Sequence, residues 1–292
     1  MQVHLIDGTY ELFRHFFAVP SHVTADGREV AAARAVVGSL ITLLEDGATH
    51  VGVATDQVIE SFRNDLWPGY KDGSGVDPVL LAQFPLLEDT LEAAGFAVFA
   101  MVEHEADDAL AALAQVAAAD PAVERVLIAT PDKDLAQCVV DGRIYQYDRR
   151  KGTISGVAEV VEKFGVPPES IPDWLALVGD SADGFPGVPG WGAKTAAAVL
   201  ARWRHIDDIP ADPTDWDVAV RGATRLAQSL AEHRDHAALF RILATLVDDI
   251  PTIGDVDDLR WQGPRPDFAE VAATLDAPGL AERAAALATA RG

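Results

Sequence analysis

Cysteine, positive charge and long apolar runs are all scarce in this 292-residue chain, and each scarcity narrows the reading. The one cysteine, Cys138, rules out an internal disulfide and any zinc site built from several thiolates, so a reducing cytoplasm is the expected compartment. No apolar run is both long enough and free enough of acids to span a bilayer, and no membrane partner is expected. The first residues, Met1-Gln2-Val3-His4-Leu5-Ile6-Asp7, enter a strand-like run with no basic segment ahead of an apolar one, so no signal peptide is expected. Lys and Arg total 23 against 46 Asp and Glu, a net charge of −23. Nucleic-acid binders are usually basic, because phosphate contacts supply most of their affinity. A chain this acidic can hold nucleic acid only through localised basic groups and bound cations. Most of its acids read as a solvated, solubilising surface.

What is present is an ordinary globular composition, 49% hydrophobic and 24% charged, with length for one large domain or two modest ones. In the first half, strand-like runs at 3–6, 51–55, 96–99, 126–129 and 144–147 alternate with helical patterns at 29–45, 77–94 and 107–118. Strands separated by helices predict an α/β fold with a largely parallel central sheet flanked by helices. Active sites of such sheets lie beyond the carboxyl ends of the strands. Asp7, Asp56 and Asp132 fall at or just past those ends. From about Pro167 the strand signal disappears, and 168–178, 193–203, 219–233 and 236–246 read as helices, interrupted by a Pro/Gly-rich stretch at 184–192. The expected division is an α/β core over 1–166 and a helical region over 167–292, packed as one unit.

Acids recur in five short motifs: Leu5-Ile6-Asp7-Gly8, Ala54-Thr55-Asp56, Glu105-Ala106-Asp107-Asp108, Asp132-Lys133-Asp134 and Gly179-Asp180-Ser181-Ala182-Asp183. An isolated acid at a strand end is more often a turn former or a helix N-cap. The set says more, because several parallel strands deliver their ends to one edge. Glu105 and Asp108, three apart at a helix start, face the same way. Two carboxylates about 5 Å apart repel by roughly 3 kcal/mol at an effective dielectric of about 20. A cluster of them must protonate, splay apart or bind cations. Oxygen ligands without Cys or paired His favour Mg²⁺ or Mn²⁺, and closely spaced divalent ions of this kind serve phosphodiester cleavage.

In order and content these motifs resemble the bacterial 5′ nucleases, a family that includes the N-terminal nuclease domain of DNA polymerase I and, more distantly, the flap endonucleases. The resemblance runs from Val3 to about Leu246. It implies a PIN-like 5′-nuclease fold and a structure-dependent 5′-3′ exonuclease and flap endonuclease acting in DNA replication or repair. It implies that Asp7, Asp56, Glu105, Asp107, Asp132, Asp134 and Asp183 bind metal, with Asp108 and Asp180 close by. Two or more divalent ions, Mg²⁺ or Mn²⁺, are then the cofactors, with no small-molecule cofactor. DNA with 5′ flaps, nicks or recessed 5′ ends is the partner of a chain expected to act as a monomer.

Two further segments carry the resemblance. Pro186-Gly187-Val188-Pro189-Gly190-Trp191-Gly192-Ala193-Lys194-Thr195-Ala196 is similar to the hairpin of a helix-three-turn-helix DNA-binding motif, here over 184–203. Its glycines, Gly187, Gly190 and Gly192, let a phosphate approach the backbone; the next helix, which carries Lys194 and Thr195, offers free N–H groups and its positive dipole end, and Lys194 would add a direct charge contact. A bare Gly-x-Gly would read only as a turn. The resemblance adds a potassium ion at the 184–192 hairpin. Ser61-Phe62-Arg63 through Gly69-Tyr70-Lys71 resembles the base of the family's helical arch, expected here as a short arch near 69–90. There Arg63 and Lys71 would contact the scissile phosphate while Phe62 and Tyr70 stack on DNA; taken alone, the aromatics would read as core and the cations as solvated. Arg14 also fits a family position for a cation near the site, and Lys133 is placed to offset the charge of its acidic neighbours.

The departures are informative. There is no Lys or Arg from Asp72 to Glu124, and Gly73-Ser74-Gly75 suggests a flexible arch with little grip on a single strand, so short flaps are expected to be cut faster than long ones. Ala182 and Gly184 stand where the family usually has Ser and Asn, which suggests a looser loop. No polymerase motif follows, so a stand-alone nuclease is expected. A haloacid-dehalogenase-type phosphatase would share Asp7-Gly8-Thr9, but its phosphoaspartate needs an Asp where this chain has Leu5. A catalytically weak DNA-structure-binding protein of the same fold is the non-enzymatic alternative.

Overall fold

The computed structural model describes Met1–Gly292. Four strands, β1 (Gln2–Asp7), β2 (His50–Asp56), β3 (Ala97–Met101) and β4 (Arg125–Ala129), form a parallel sheet in the order β3-β2-β1-β4. Val3, Leu5 and Ile6 on central β1 are wholly buried, as the near-continuous apolar run of a parallel strand covered on both faces requires. Helices Gly8–Ala18, Ala31–Glu45, Gln83–Ala93 and Ala106–Ala119 accompany the sheet. The last is built almost entirely of Ala and Leu, the strongest helix formers, and small enough to lie close against the strands.

The contacts close two units, each from separated segments. The first contains Met1–Ile59, Gly73–Thr130 and Val247–Gly292; the second contains Glu60–Asp72 and Pro131–Leu246. The sequence places the whole of 167–292 in one helical region. Helical it is, but its end packs with the sheet. Trp261 donates its backbone N–H to Thr49 (2.9 Å) and its indole N–H to Ala94 (2.8 Å), and Phe268, Leu275 and Ala284 are buried from helices Phe268–Thr274 and Pro278–Arg291 and the turn between them. The stretch expected as an arch is also shorter. Leu80, Phe84 and Leu87 are buried in the first unit, which leaves a 3₁₀ turn at Gly73–Gly75 and its flanks as the exposed connection. No helix is long and apolar enough to cross a membrane.

The second unit begins with the antiparallel pair β5 (Ile144–Asp148) and β6 (Thr153–Ser155) and continues as helices Val157–Phe164, Ile171–Val178, Ala193–Trp203, Ala223–Glu232 and Arg234–Ala244. Leu175, Val199, Leu200, Leu230, Phe240 and Leu243 form its core. A buried cation closes one end of it. Arg63, only 1% exposed, lies 4.6 Å from the Phe62 ring and donates to the carbonyls of Leu243 (2.9 Å) and Thr245 (3.1 Å), where helix Arg234–Ala244 leaves acceptors without intrahelical partners.

This overturns the expected role of Arg63. The guanidinium is committed to the helix end and is not presented to a phosphate. Arg63→Met, which keeps the apolar stem and deletes the donors, is expected to cost about 2–4 kcal/mol of stability. Urea denaturation measures it, and an unchanged midpoint would return Arg63 to the surface chemistry the sequence suggested.

Candidate functional site

In the first unit the acids gather at the carboxyl edge of the sheet. Asp7 pairs in register with Ala54, so Asp56, two residues further along β2, faces the same side as Asp7. Asp7 is also a helix cap: its Oδ1 accepts from the Tyr10 N–H (2.8 Å), and its Oδ2 accepts from Thr130 Oγ1 (2.8 Å). Asp56 Oδ1 accepts from the Ala106 N–H (2.7 Å), which ties the end of β2 to the start of helix Ala106–Ala119. Glu105 precedes that helix and is buried, while Asp107, in its first turn, is half-buried. Asp108 Oδ2 accepts from the Glu105 N–H (3.0 Å) and its Oδ1 from the Val247 N–H (2.9 Å), one backbone donor to each oxygen. Arg14 is ion-paired with buried Glu11 on helix Gly8–Ala18.

In the second unit Asp134, Asp180 and Asp183 converge, with one carboxylate oxygen from each lying within 4.8 Å of the others. They are only 7%, 4% and 6% exposed. Asp132 Oδ1 accepts from the Asp134 N–H (2.9 Å). Lys133 reaches back to an ion pair with Asp180 and stands 3.7 Å from Asp134 Oδ1, an oxygen that is buried and accepts no hydrogen bond. Lys71 pairs with Asp183 at 3.1 Å. Burial first, then the charges of Asp132 and Asp183, push the Asp134 carboxyl well above the ordinary aspartate range against the pull of Lys133. Burial works against the Lys133 ammonium, yet Asp134, Asp180 and Asp132 together hold its pKa above the ordinary lysine range. Three buried hard oxygens, one of them lacking a donor, fit a hard divalent cation.

Gly184 holds the Asp180–Asp183 loop shut rather than loosening it. Its φ is +82°, and a Cβ there would lie 2.0 Å from the Gly69 carbonyl oxygen. The Trp67 indole N–H donates to the Gly184 carbonyl (3.0 Å) and the Lys71 N–H to that of Asp183 (3.0 Å). Asparagine tolerates that φ, but its Cβ would not fit. Tyr70, expected to stack on DNA, is instead in the core of the second unit, and Phe62 lies half-buried against Arg63.

The hairpin divides in two. Gly187 is pressed against the chain, since a Cβ there would lie 2.4 Å from the Gly179 nitrogen, whereas Gly190 and Gly192 border open space. Lys194 and Thr195 occupy the first turn of helix Ala193–Trp203, with Lys194 exposed. The sequence reading missed two neighbours of this hairpin. Arg221 and Arg225 are exposed, join no ion pair, and line one hollow with Pro189, Gly190, Ser229 and His233. Most other exposed arginines here are paired with acids, as Arg28, Arg202, Arg234 and Arg283 are. The only sequence signal was a pair of cations four apart in an acidic chain.

Without metal, the raised Asp134 carboxyl has a sign for stability. A folded-state pKa above the unfolded value stabilises the protein fully below the unfolded carboxyl range, near pH 4, and that contribution is lost as pH rises through the folded value. In chelator, the melting temperature is therefore expected to fall as pH climbs from about 5 towards 8. Saturating Mg²⁺ should abolish the fall, and Asp134→Asn should raise the chelated melting temperature at neutral pH by a few degrees, on the order of 2–4 °C per kcal/mol. A flat chelated profile would contradict the raised carboxyl.

Residues 2–165 match the family model described as 5′-3′ exonuclease, N-terminal resolvase-like domain, and 166–267 match 5′-3′ exonuclease, C-terminal SAM fold. DNA polymerase I of Rhizobium leguminosarum is 35% identical over 87% of this chain and 25% of its own length; that of Pseudomonas aeruginosa is 36% identical over 87% and 28%. The chain thus spans about a quarter of the length of these curated relatives. Among solved structures, the bacteriophage T5 D15 flap endonuclease in complex with DNA and metal ions is similar in fold, with a TM-score of 0.66, 20% identity and coverage of 99% of this chain and 100% of that one.

Proposed function

The chain belongs to the 5′-3′ exonuclease family, and from that premise we propose that it hydrolyses DNA phosphodiesters at 5′ ends, flaps and nicks with divalent cations as cofactors. The observation that carries the reading is the trio Asp134, Asp180 and Asp183, buried with one carboxylate oxygen of each within 4.8 Å of the others. Asp132 joins them as a proposed ligand in the second unit, and Asp7, Asp56, Glu105 and Asp107 are the proposed ligands of the first unit. Asp108 stands beside this set, its oxygens accepting from the Glu105 and Val247 N–H groups. All donors being carboxylate oxygens, Mg²⁺ or Mn²⁺ is the proposed cofactor. Such an ion, when bound, lowers the pKa of an attacking water and stabilises the leaving oxygen.

The chain's own residues supply the rest. Lys133 and Lys71, which neutralise Asp180 and Asp183 within the second unit, are proposed to turn to a substrate phosphate as cations take over the carboxylates. Arg14 is assigned the same task from the first unit. Gly190, Gly192, Lys194 and Thr195, joined by Arg221 and Arg225, are proposed to grip one backbone of duplex DNA, with a potassium ion at the hairpin. A monomer that holds the duplex in this way and has no Lys or Arg along 72–124 favours short flaps and nicked or recessed 5′ ends over long flaps.

Cleavage of a labelled 5′-flap duplex tests the reading. Activity should require Mg²⁺ or Mn²⁺, and Asp134→Asn or Asp183→Asn should lower the rate by about a hundredfold or more while leaving the protein folded. Metal-independent cleavage, or near-normal rates in both variants, would overturn it. Duplex affinity in Ca²⁺ is expected to fall in Arg221→Ala and Arg225→Ala, each reducing the slope of log affinity against log salt by about one. Unchanged slopes would show that these arginines do not meet phosphate.

A further inference from the structure

Glu88 is a carboxyl the nuclease reading does not use, yet it lies beneath the end of β2. It sits on helix Gln83–Ala93, is 4% exposed, and receives two donors from one short segment: Thr55 Oγ1 gives to Oε1 at 2.7 Å, and Gln57 Nε2 gives to Oε2 at 3.2 Å. Thr55 and Gln57 are the two residues on either side of Asp56. Thr55 is wholly buried and its methyl packs where a Gly8 side chain would be, so the first anchor is rigid; Gln57 is exposed and forms the outer anchor.

We propose that Glu88 is a positioning residue for Asp56, clamping both flanking side chains so that the Asp56 carboxylate is held at one angle at the edge of the sheet. The proposal rests on the reading of Asp56 as a metal ligand. The rest of the local bonding leaves this task to Glu88. The Asp56 N–H is taken by Thr9 Oγ1 (2.9 Å) and Asp56 Oδ1 by the Ala106 N–H (2.7 Å), which fix the residue at two points, while its side-chain torsion still follows the backbone on which it stands. β2 ends at Asp56, and just beyond it the Val58 N–H donates to the Met101 carbonyl (3.2 Å), the last backbone bond to β3. A buried carboxylate accepting from both side chains that flank Asp56 adds side-chain anchors to that backbone hold. Burial holds the Glu88 carboxyl above the ordinary range against the Thr55 and Gln57 hydrogen bonds, and the nearby charges of Asp89 and Glu92 push it the same way as burial. A buried acid costs stability unless its bonds are made, and both of these hydrogen bonds go to the residues flanking Asp56.

Groups that orient metal ligands typically change metal affinity about 10–100-fold when removed. The test is calorimetric titration of Mn²⁺ into the metal-free full chain, with the Mn²⁺ concentration for half-maximal flap cleavage measured alongside. Asp56→Asn identifies the binding event that depends on Asp56. Glu88→Ala is expected to weaken that event about tenfold or more, and Glu88→Gln, which keeps an acceptor for Thr55, to restore it to within about threefold. Gln57→Ala, at an exposed position with no folding penalty, should weaken it in the same direction by less, and carries the test if Glu88→Ala does not fold. Variants that melt lower yet bind Mn²⁺ as the parent does would make Glu88 a core residue only and overturn the inference alone. If Asp56→Asn removes no binding event, the reading of Asp56 falls and takes this inference with it.

Discussion

Three carboxylates buried within 4.8 Å of one another are the constraint around which the second unit is arranged. At an effective dielectric of about 20, each ionised pair at that spacing repels by about 3 kcal/mol, and three pairs approach the whole net stability of a typical domain. The fold answers with the cations it has. Lys133 is drawn inward to Asp180, Lys71 to Asp183, and the Asp134 carboxyl retains its proton to higher pH than usual. The Gly184 turn and its bonds to Trp67, together with Gln146 donating to the Asp132 carbonyl at 2.6 Å, hold these acids where repulsion would move them apart. A geometry kept at such electrostatic cost is one in which an outside cation gains what the protein spends.

The same scarcity of positive charge shapes the rest of the surface. Most exposed arginines are tied to aspartates or glutamates, which leaves the neighbourhood of the hairpin, with Lys194, Arg221 and Arg225, as a local exception. For a chain of net charge −23, selectivity for a polyanion depends on where its few free cations lie. In the proposed function, their place beside a glycine hairpin is what would let backbone N–H groups and side chains act on one phosphate run.

The sheet and its edge were legible in the sequence because apolar runs ending in Asp7 and Asp56 repeat at the spacing of βα units, and the hairpin because Pro and Gly punctuate it so densely. Other features were hidden for identifiable reasons. Arg63 and Tyr70 look like surface chemistry in a linear string; only long-range contacts, to Leu243 and Thr245 and to the second unit's core, make one a helix cap and the other a core residue. Asp108 shares a motif with metal-type acids, but Val247, far along the chain, claims one of its oxygens. Gly184 seemed a loosening substitution until Gly69 was found against it. Glu88 carried no motif at all. The expected helical region over 167–292 did not say where its end would pack, since the apolar face of a helix does not say which unit it will cover.

The most direct measurement of the central claim is anomalous diffraction from crystals grown with Mn²⁺. The account expects a manganese peak bonded to carboxylate oxygens of Asp134 and Asp183 at about 2.0–2.2 Å, with Lys133 released from Asp180. Manganese found only on exposed surface acids, with Asp134, Asp180 and Asp183 still neutralised by Lys133 and Lys71, would contradict it.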